Sequence, residues 1–153
     1  MRRAATILVV CGAAAVAAGV AGAHGRTHVP PTQDKQHAVL NGVMDVKKTK
    51  LGRFNFRFHV SQYGVITGHG EFNGGGSNYV SLTSVSSLTC TGNHLSVTGT
   101  GTLLSGASVP VTISATDGGP GVADSADKFT ISFGSFSKTG SPVAGKVFLK
   151  NCS

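Results

Sequence analysis

Between Leu51 and Val60 the chain alternates: Phe54, Phe56, Phe58 and Val60 take every second position, with Asn55, Arg57 and His59 between them. A period of two puts the four apolar side chains on one face of an extended strand and the polar ones on the other. Buried fully, each apolar side chain contributes on the order of 1.5–3 kcal/mol, so this strand is expected to form a main wall of the core. Shorter alternating or β-branched runs recur over residues 39–46, 65–72, 79–89, 94–103, 109–116, 128–136 and 143–149, which brings the predicted strands to eight. No window carries a helical stripe, and the prevalent Thr, Ser and Val suit a pleated surface better than a helix.

Glycine and proline mark the connections: Gly74-Gly75-Gly76, Gly92-Asn93, Ser105-Gly106, Gly118-Gly119-Pro120-Gly121 and Gly140-Ser141-Pro142. Glycine supplies positive φ and proline presets the first corner of a turn. Eight short strands on brief connections predict a single all-β antiparallel domain, closed or nearly closed as a barrel, with a β-sandwich as the alternative. Even spacing favours the barrel. So do the in-strand glycines Gly68, Gly70, Gly99 and Gly101, which permit coiling and corner bending.

The first 23 residues have a different character. Met1-Arg2-Arg3 is a basic start, the run from Ala4 to Val20 is uncharged, and Ala21-Gly22-Ala23 has the small-x-small pattern of a signal-peptidase site. This predicts a secretory signal peptide over 1–23 and a secreted, extracellular protein with no transmembrane span after cleavage. Retention as a membrane anchor is the alternative, and only Ile7, Leu8, Val9, Val10, Val16 and Val20 would drive it. Residues 24–37 hold Pro30-Pro31 and three histidines, His24, His28 and His37, without apolar periodicity, and read as a flexible leader to a domain over 38–153. Cleavage removes Arg2 and Arg3, lowering the formal net charge from +7 to +5. It also removes Cys11. The remaining pair, Cys90 and Cys152, is expected to form a disulfide in an oxidising compartment.

A Phe-x-Phe-x-Val strand (Phe56, Phe58, Val60) is followed by Gly-x-x-x-Phe (Gly68 to Phe72), by Thr91-Gly92-Asn93 and by Val97-Thr-Gly-Thr-Gly-Thr-Leu103. Then come VPVTISATDGGPGVADSADKFTIS from Val109 and VAGKVFL from Val143. Together these segments resemble the post-COAP domain, a family of small secreted domains of Gram-positive, chiefly actinobacterial, proteins. The resemblance covers residues 54–149, and the chain departs from it by carrying several more residues between Gly121 and Asp127. It implies a secreted β-domain and brings no catalytic activity with it.

Three groups of residues are candidates for chemistry. Asp117, Asp124 and Asp127 are half of the six acidic residues and surround a glycine-rich turn, an arrangement of oxygens that suits Ca²⁺. Their spacing is not that of an EF-hand, and aspartates in turns also bond their own backbone. His59 and His69 lie on consecutive predicted strands with Glu71 nearby, a set able to ligate Zn²⁺ or a redox metal if the hairpin register brings them together. Lys47, Lys48, Lys50, Arg53 and Arg57 form a basic group opposed only by Asp45, suited to an anionic polymer or surface of the cell envelope. Nucleic acid is not expected as a partner, because Phe54, Phe56 and Phe58 are assigned to the core instead of being interleaved for base stacking.

No Gly-x-Ser-x-Gly, Ser-x-x-Lys or His-Glu-x-x-His motif is present, and Glu71 is the only glutamate. No cofactor is expected. The reading is a secreted, non-catalytic β-domain that acts by binding or structure at the cell exterior, with oligomeric state left open. The alternatives are a small-ligand carrier with an enclosed cavity and, third, a secreted enzyme.

Overall fold

The computed structural model describes residues 35–47, 50–119 and 126–152. The expected signal peptide, residues 24–34 of the expected leader, Lys48 and Asp124 lie outside the described residues. Nine strands are found among the described residues: β1 (Gln36–Lys47), β2 (Lys50–Val60), β3 (Ile66–Asn73), β4 (Tyr79–Thr91), β5 (His94–Leu103), β6 (Ser108–Thr116), β7 (Lys128–Phe133), β8 (Phe136–Gly140) and β9 (Pro142–Lys150). They form one antiparallel sheet in the order β8-β7-β6-β5-β4-β3-β2-β1-β9. The sheet curls into a nearly closed barrel, so the fold is the expected all-β meander with one strand more than counted from sequence.

The extra strand comes from the segment 128–136, expected as a single strand. Gly134, at φ 53°, and Ser135 turn the chain there, and Phe133 pairs with Phe136 across a two-residue loop. Glycine at the first corner is what one of the two favoured hairpin turns demands. The expected turn at Gly140-Ser141-Pro142 is instead a break of one residue, Ser141, between β8 and β9. Because β8 pairs with β7 and β9 with β1, this stretch carries the chain from one side of the curled sheet to the other. β1 also takes in two residues of the expected leader. Gln36 and His37 belong to β1, paired with Val60 and His59, and not to a leader.

Alternation decides the core. In β2, Phe54, Phe56, Phe58 and Val60 are buried while Arg53, Asn55, Arg57 and His59 are exposed. The rings reach across the interior to the far wall: Phe54 stacks on Phe129 of β7 with centroids 4.1 Å apart, and Phe56 lies 6.2 Å from the same ring. At the other end Phe72, Phe133 and Phe136 cluster at 4.9–6.1 Å. A small barrel has room for this many rings because glycines face them. Gly42 is paired with Phe54, Gly70 with Phe56 and Gly68 with Phe58.

At Gly42 a methyl group would lie 2.5 Å from the Ala144 carbonyl oxygen and 2.8 Å from Phe54 Cζ. Gly42→Ala is therefore expected to lower stability by about 2 kcal/mol, the usual cost of overpacking. The urea midpoint measures this. A change below about 0.5 kcal/mol, the range of a neutral surface substitution, would show that the ring and the Ala144 carbonyl both have room to retreat.

β4 is irregular. Its inward residues Leu82, Val85 and Leu88 are three apart, because the register with β5 shifts between Leu82 and Ser84 and again between Val85 and Ser87. Each bulge adds one residue and bends the strand. β3 pairs with β4 only from Tyr79 to Leu82, and beyond Leu82 β4 is laddered to β5 alone. Cys90 sits in that half and is joined by a disulfide to Cys152, past the end of β9, with a Cα–Cα distance of 4.8 Å. The expected pairing is thus present. Among the described residues Asn151 is the one non-glycine with positive φ (58°), at the point where the chain leaves β9 to reach Cys90.

Candidate functional site

Two of the three aspartates of the acidic turn are tied to the backbone. Asp127, completely buried, accepts the Gly118 N–H at 2.8 Å on Oδ1 and the Val147 N–H at 3.2 Å on Oδ2. Asp117 accepts the Gly119 N–H at 3.0 Å and the Leu149 N–H at 3.0 Å. Val147 and Leu149 lie on β9, the strand at the end of the sheet order. The two carboxylates therefore accept edge N–H groups for which no neighbouring strand among the described residues supplies carbonyls. Asp117 and Asp127 close the barrel, and all four of their oxygens are hydrogen-bonded.

The histidine group is spread over an outer face. His59 is opposite Thr67, whose Oγ1 is 2.7 Å from His59 Nδ1, while His69 is opposite Arg57 and Glu71 is opposite Asn55. Among the described residues no three of His, Cys, Asp or Glu are gathered so as to hold a metal ion. Glu71 is engaged otherwise: Tyr79 Oη donates to its Oε2 at 3.0 Å. That hydrogen bond, with burial and the nearby negative charge acting in the same direction, holds the Tyr79 phenol above its ordinary pKa of 10.0.

Lys47, Lys50, Arg53 and Arg57 are exposed, and the sheet adds to them. Lys47 and Lys50 face each other at the β1–β2 tip, and Arg53 and Arg57 project outward from β2. Pairing of β9 with β1 sets Lys150 beside His37, Phe148 beside Val39 and Lys146 beside Asn41. Across β1, Val39 is opposite Arg57 and Asn41 opposite Asn55. Lys146 and Lys150 thus share one outward face with Arg53 and Arg57, and Lys146 lies 5.5 Å from the centre of the half-exposed Phe148 ring. Lys146 and Lys150 were not among the residues singled out from sequence. Their alternation with the inward Val147 and Leu149 marks them as outward, but nothing local says which strand β9 joins.

Over the middle of this face lies a groove of about 390 Å³, lined by Asn41, Gly42, Val43, Arg53, Phe54, Asn55 and Glu71. The interior differs. Under the disulfide, a gap edged by Phe58, Leu88 and Leu95 admits no water-sized sphere. Every buried side-chain polar atom among the described residues has a hydrogen-bond partner, and no helix there is long and apolar enough to cross a membrane. No family model, curated protein or solved structure matches this chain.

Proposed function

We propose that this chain is a secreted, non-catalytic β-barrel module that binds an anionic polymer of the cell exterior on the outer face of β9, β1, β2 and β3. The observation that carries this reading is the shared outward placement of Lys146, Lys150, Arg53 and Arg57 by strand pairing. Asp117 and Asp127 turn their carboxylates to backbone N–H groups of the barrel seam, and Asp45 and Glu71 are the acids that project from that face among the described residues. A carrier would need an interior cavity, whereas Phe54, Phe56, Phe58 and Phe129 occupy the space between the walls. The disulfide suits an oxidising compartment, and the resemblance of residues 54–149 to post-COAP domains points the same way.

Retention on purified anionic wall polymer, measured across a salt series, tests the reading. Binding is expected at about 0.01 M salt, where charges act over roughly 30 Å, and is expected to fall steeply by 0.15 M, where they act over about 8 Å. The pair Lys146→Gln and Lys150→Gln, remote in sequence from the β1–β2 hairpin, is expected to weaken retention about fivefold, at roughly 0.5 kcal/mol for each exposed charge. No retention at low salt, or retention indifferent to salt, overturns it.

A further inference from the structure

A surface that works by positive charge alone gains nothing from a carboxylate within it, yet Glu71 lines the groove together with Arg53. Its neighbours are amides. Asn41, Asn55 and Glu71 sit opposite one another in a row across β1, β2 and β3. With strands about 4.8 Å apart, the row spans roughly 10 Å. Each amide offers two donors and an acceptor, and Glu71, held through Oε2 by Tyr79, accepts on its remaining lone pairs. Arg53, one strand-repeat along β2 from Asn55, presents the planar fork that matches carboxylate and phosphate. The volume of about 390 Å³ falls at the lower end of the range for small-ligand sites.

We infer that this groove binds a pyranose carrying one carboxylate or phosphate, as a single unit of the anionic polymer, an inference that rests on the function proposed above. Arg53 takes the anionic group. Asn41 and Asn55 exchange hydrogen bonds with ring hydroxyls, and Glu71 accepts from a hydroxyl. A bare polyanion has no donor to offer Glu71 and is repelled by it; a hydroxylated anion has both groups that the groove can recognise.

The test is a titration of the purified protein followed by ¹H–¹⁵N NMR, with glucuronate and glucose 6-phosphate as probes and glucose and inorganic phosphate as controls. At least one anionic sugar is expected to move the side-chain amide signals of Asn41 and Asn55 saturably, and which one does so distinguishes a uronic-acid polymer from a sugar-phosphate polymer. Glucose and phosphate are expected to bind at least about tenfold more weakly, since each lacks one half of the recognised pattern. Glu71→Ala is expected to weaken the sugar about fivefold through loss of a hydrogen bond to a charged acceptor. On a surface governed by charge alone, the same substitution tightens binding of any anion. Tighter binding by Glu71→Ala, or no shift at Asn41 and Asn55 with either sugar, overturns the groove. If wall polymer is still retained in a salt-dependent manner in that event, the wider function stands without it, whereas absent retention removes both.

Discussion

Replacing Asp127 by alanine is expected to lower the stability of the protein by about 3–5 kcal/mol, because two backbone N–H groups lose a charged acceptor in a water-poor place. Gly118 N–H and Val147 N–H both bond this carboxylate, and Val147 is itself buried. Typical domains are stable by only about 5–15 kcal/mol, so the loss approaches the whole margin. Asp127→Asn separates the hydrogen bonds from the volume. The amide keeps one acceptor oxygen but turns an NH₂ toward the other N–H, so it is expected to recover less than half of the loss. Asp117→Asn should cost less than Asp127→Asn, because both bonds of Asp117 are only partly buried whereas the Val147–Asp127 bond is fully buried. Urea unfolding measures all three. A loss below about 1 kcal/mol for Asp127→Ala, within the range of an ordinary exposed hydrogen bond, would show that the seam holds without its carboxylates.

This seam also shows what was legible in the sequence and what was not. That Asp117 and Asp127 flank a glycine turn can be read directly, and the alternatives for such a turn were cation binding or local backbone bonding. The hydrogen-bond partners of Asp117 and Asp127 are not the local chain alone. Val147 is 20 residues from Asp127 and Leu149 is 32 from Asp117. The need for an acceptor there arises only once β9 has joined β1 and left its other edge beside the β6–β7 connection. A carboxylate whose task is set by a strand edge that far away has no local signature.

Alternation was the reliable guide wherever strands are regular. β2 follows its expected pattern residue by residue, inward rings and outward Arg53 and Arg57 included. It failed where the period of two breaks. Phe129, Ile131 and Phe133 alternate, but Phe136 is three residues further on, and that slip together with Gly134-Ser135 was the sign of a hairpin within residues 128–136. The same spacing of three in Leu82, Val85 and Leu88 has the opposite meaning: two bulges within one continuous strand. For the proposed face, the cations of β2 were legible by charge density, whereas Lys146, Lys150 and Asn41 enter only through the pairing of β1 with β2 and with β9.

The disulfide yields the other large expected effect. Changing both Cys90 and Cys152 to alanine is expected to cost about 4 kcal/mol, the chain-entropy value for so long a loop, here one of 62 residues' separation. For a domain of this size that corresponds to a fall in Tm of about 15 °C. The effect should also be uneven. From residue 83 to residue 91, β4 is laddered to β5 only, because β3 has already parted from it at Leu82. The bond to Cys152 is then a tie on the β4 side that β3 does not provide, helped by Gln36 Nε2 donating to the Cys90 carbonyl at 3.3 Å. In the double variant, amides of this half of β4, which has β5 on one side only, should lose hydrogen-exchange protection more than those of Phe54 and Phe56, which belong to a strand paired on both sides. A Tm within about 3 °C of the native value, less than one kcal/mol on the same scale, would mean that bulges and core packing hold β4 unaided. A large fall spread evenly over all strands would leave the bond's effect in the unfolded chain alone, with no local role at the barrel end.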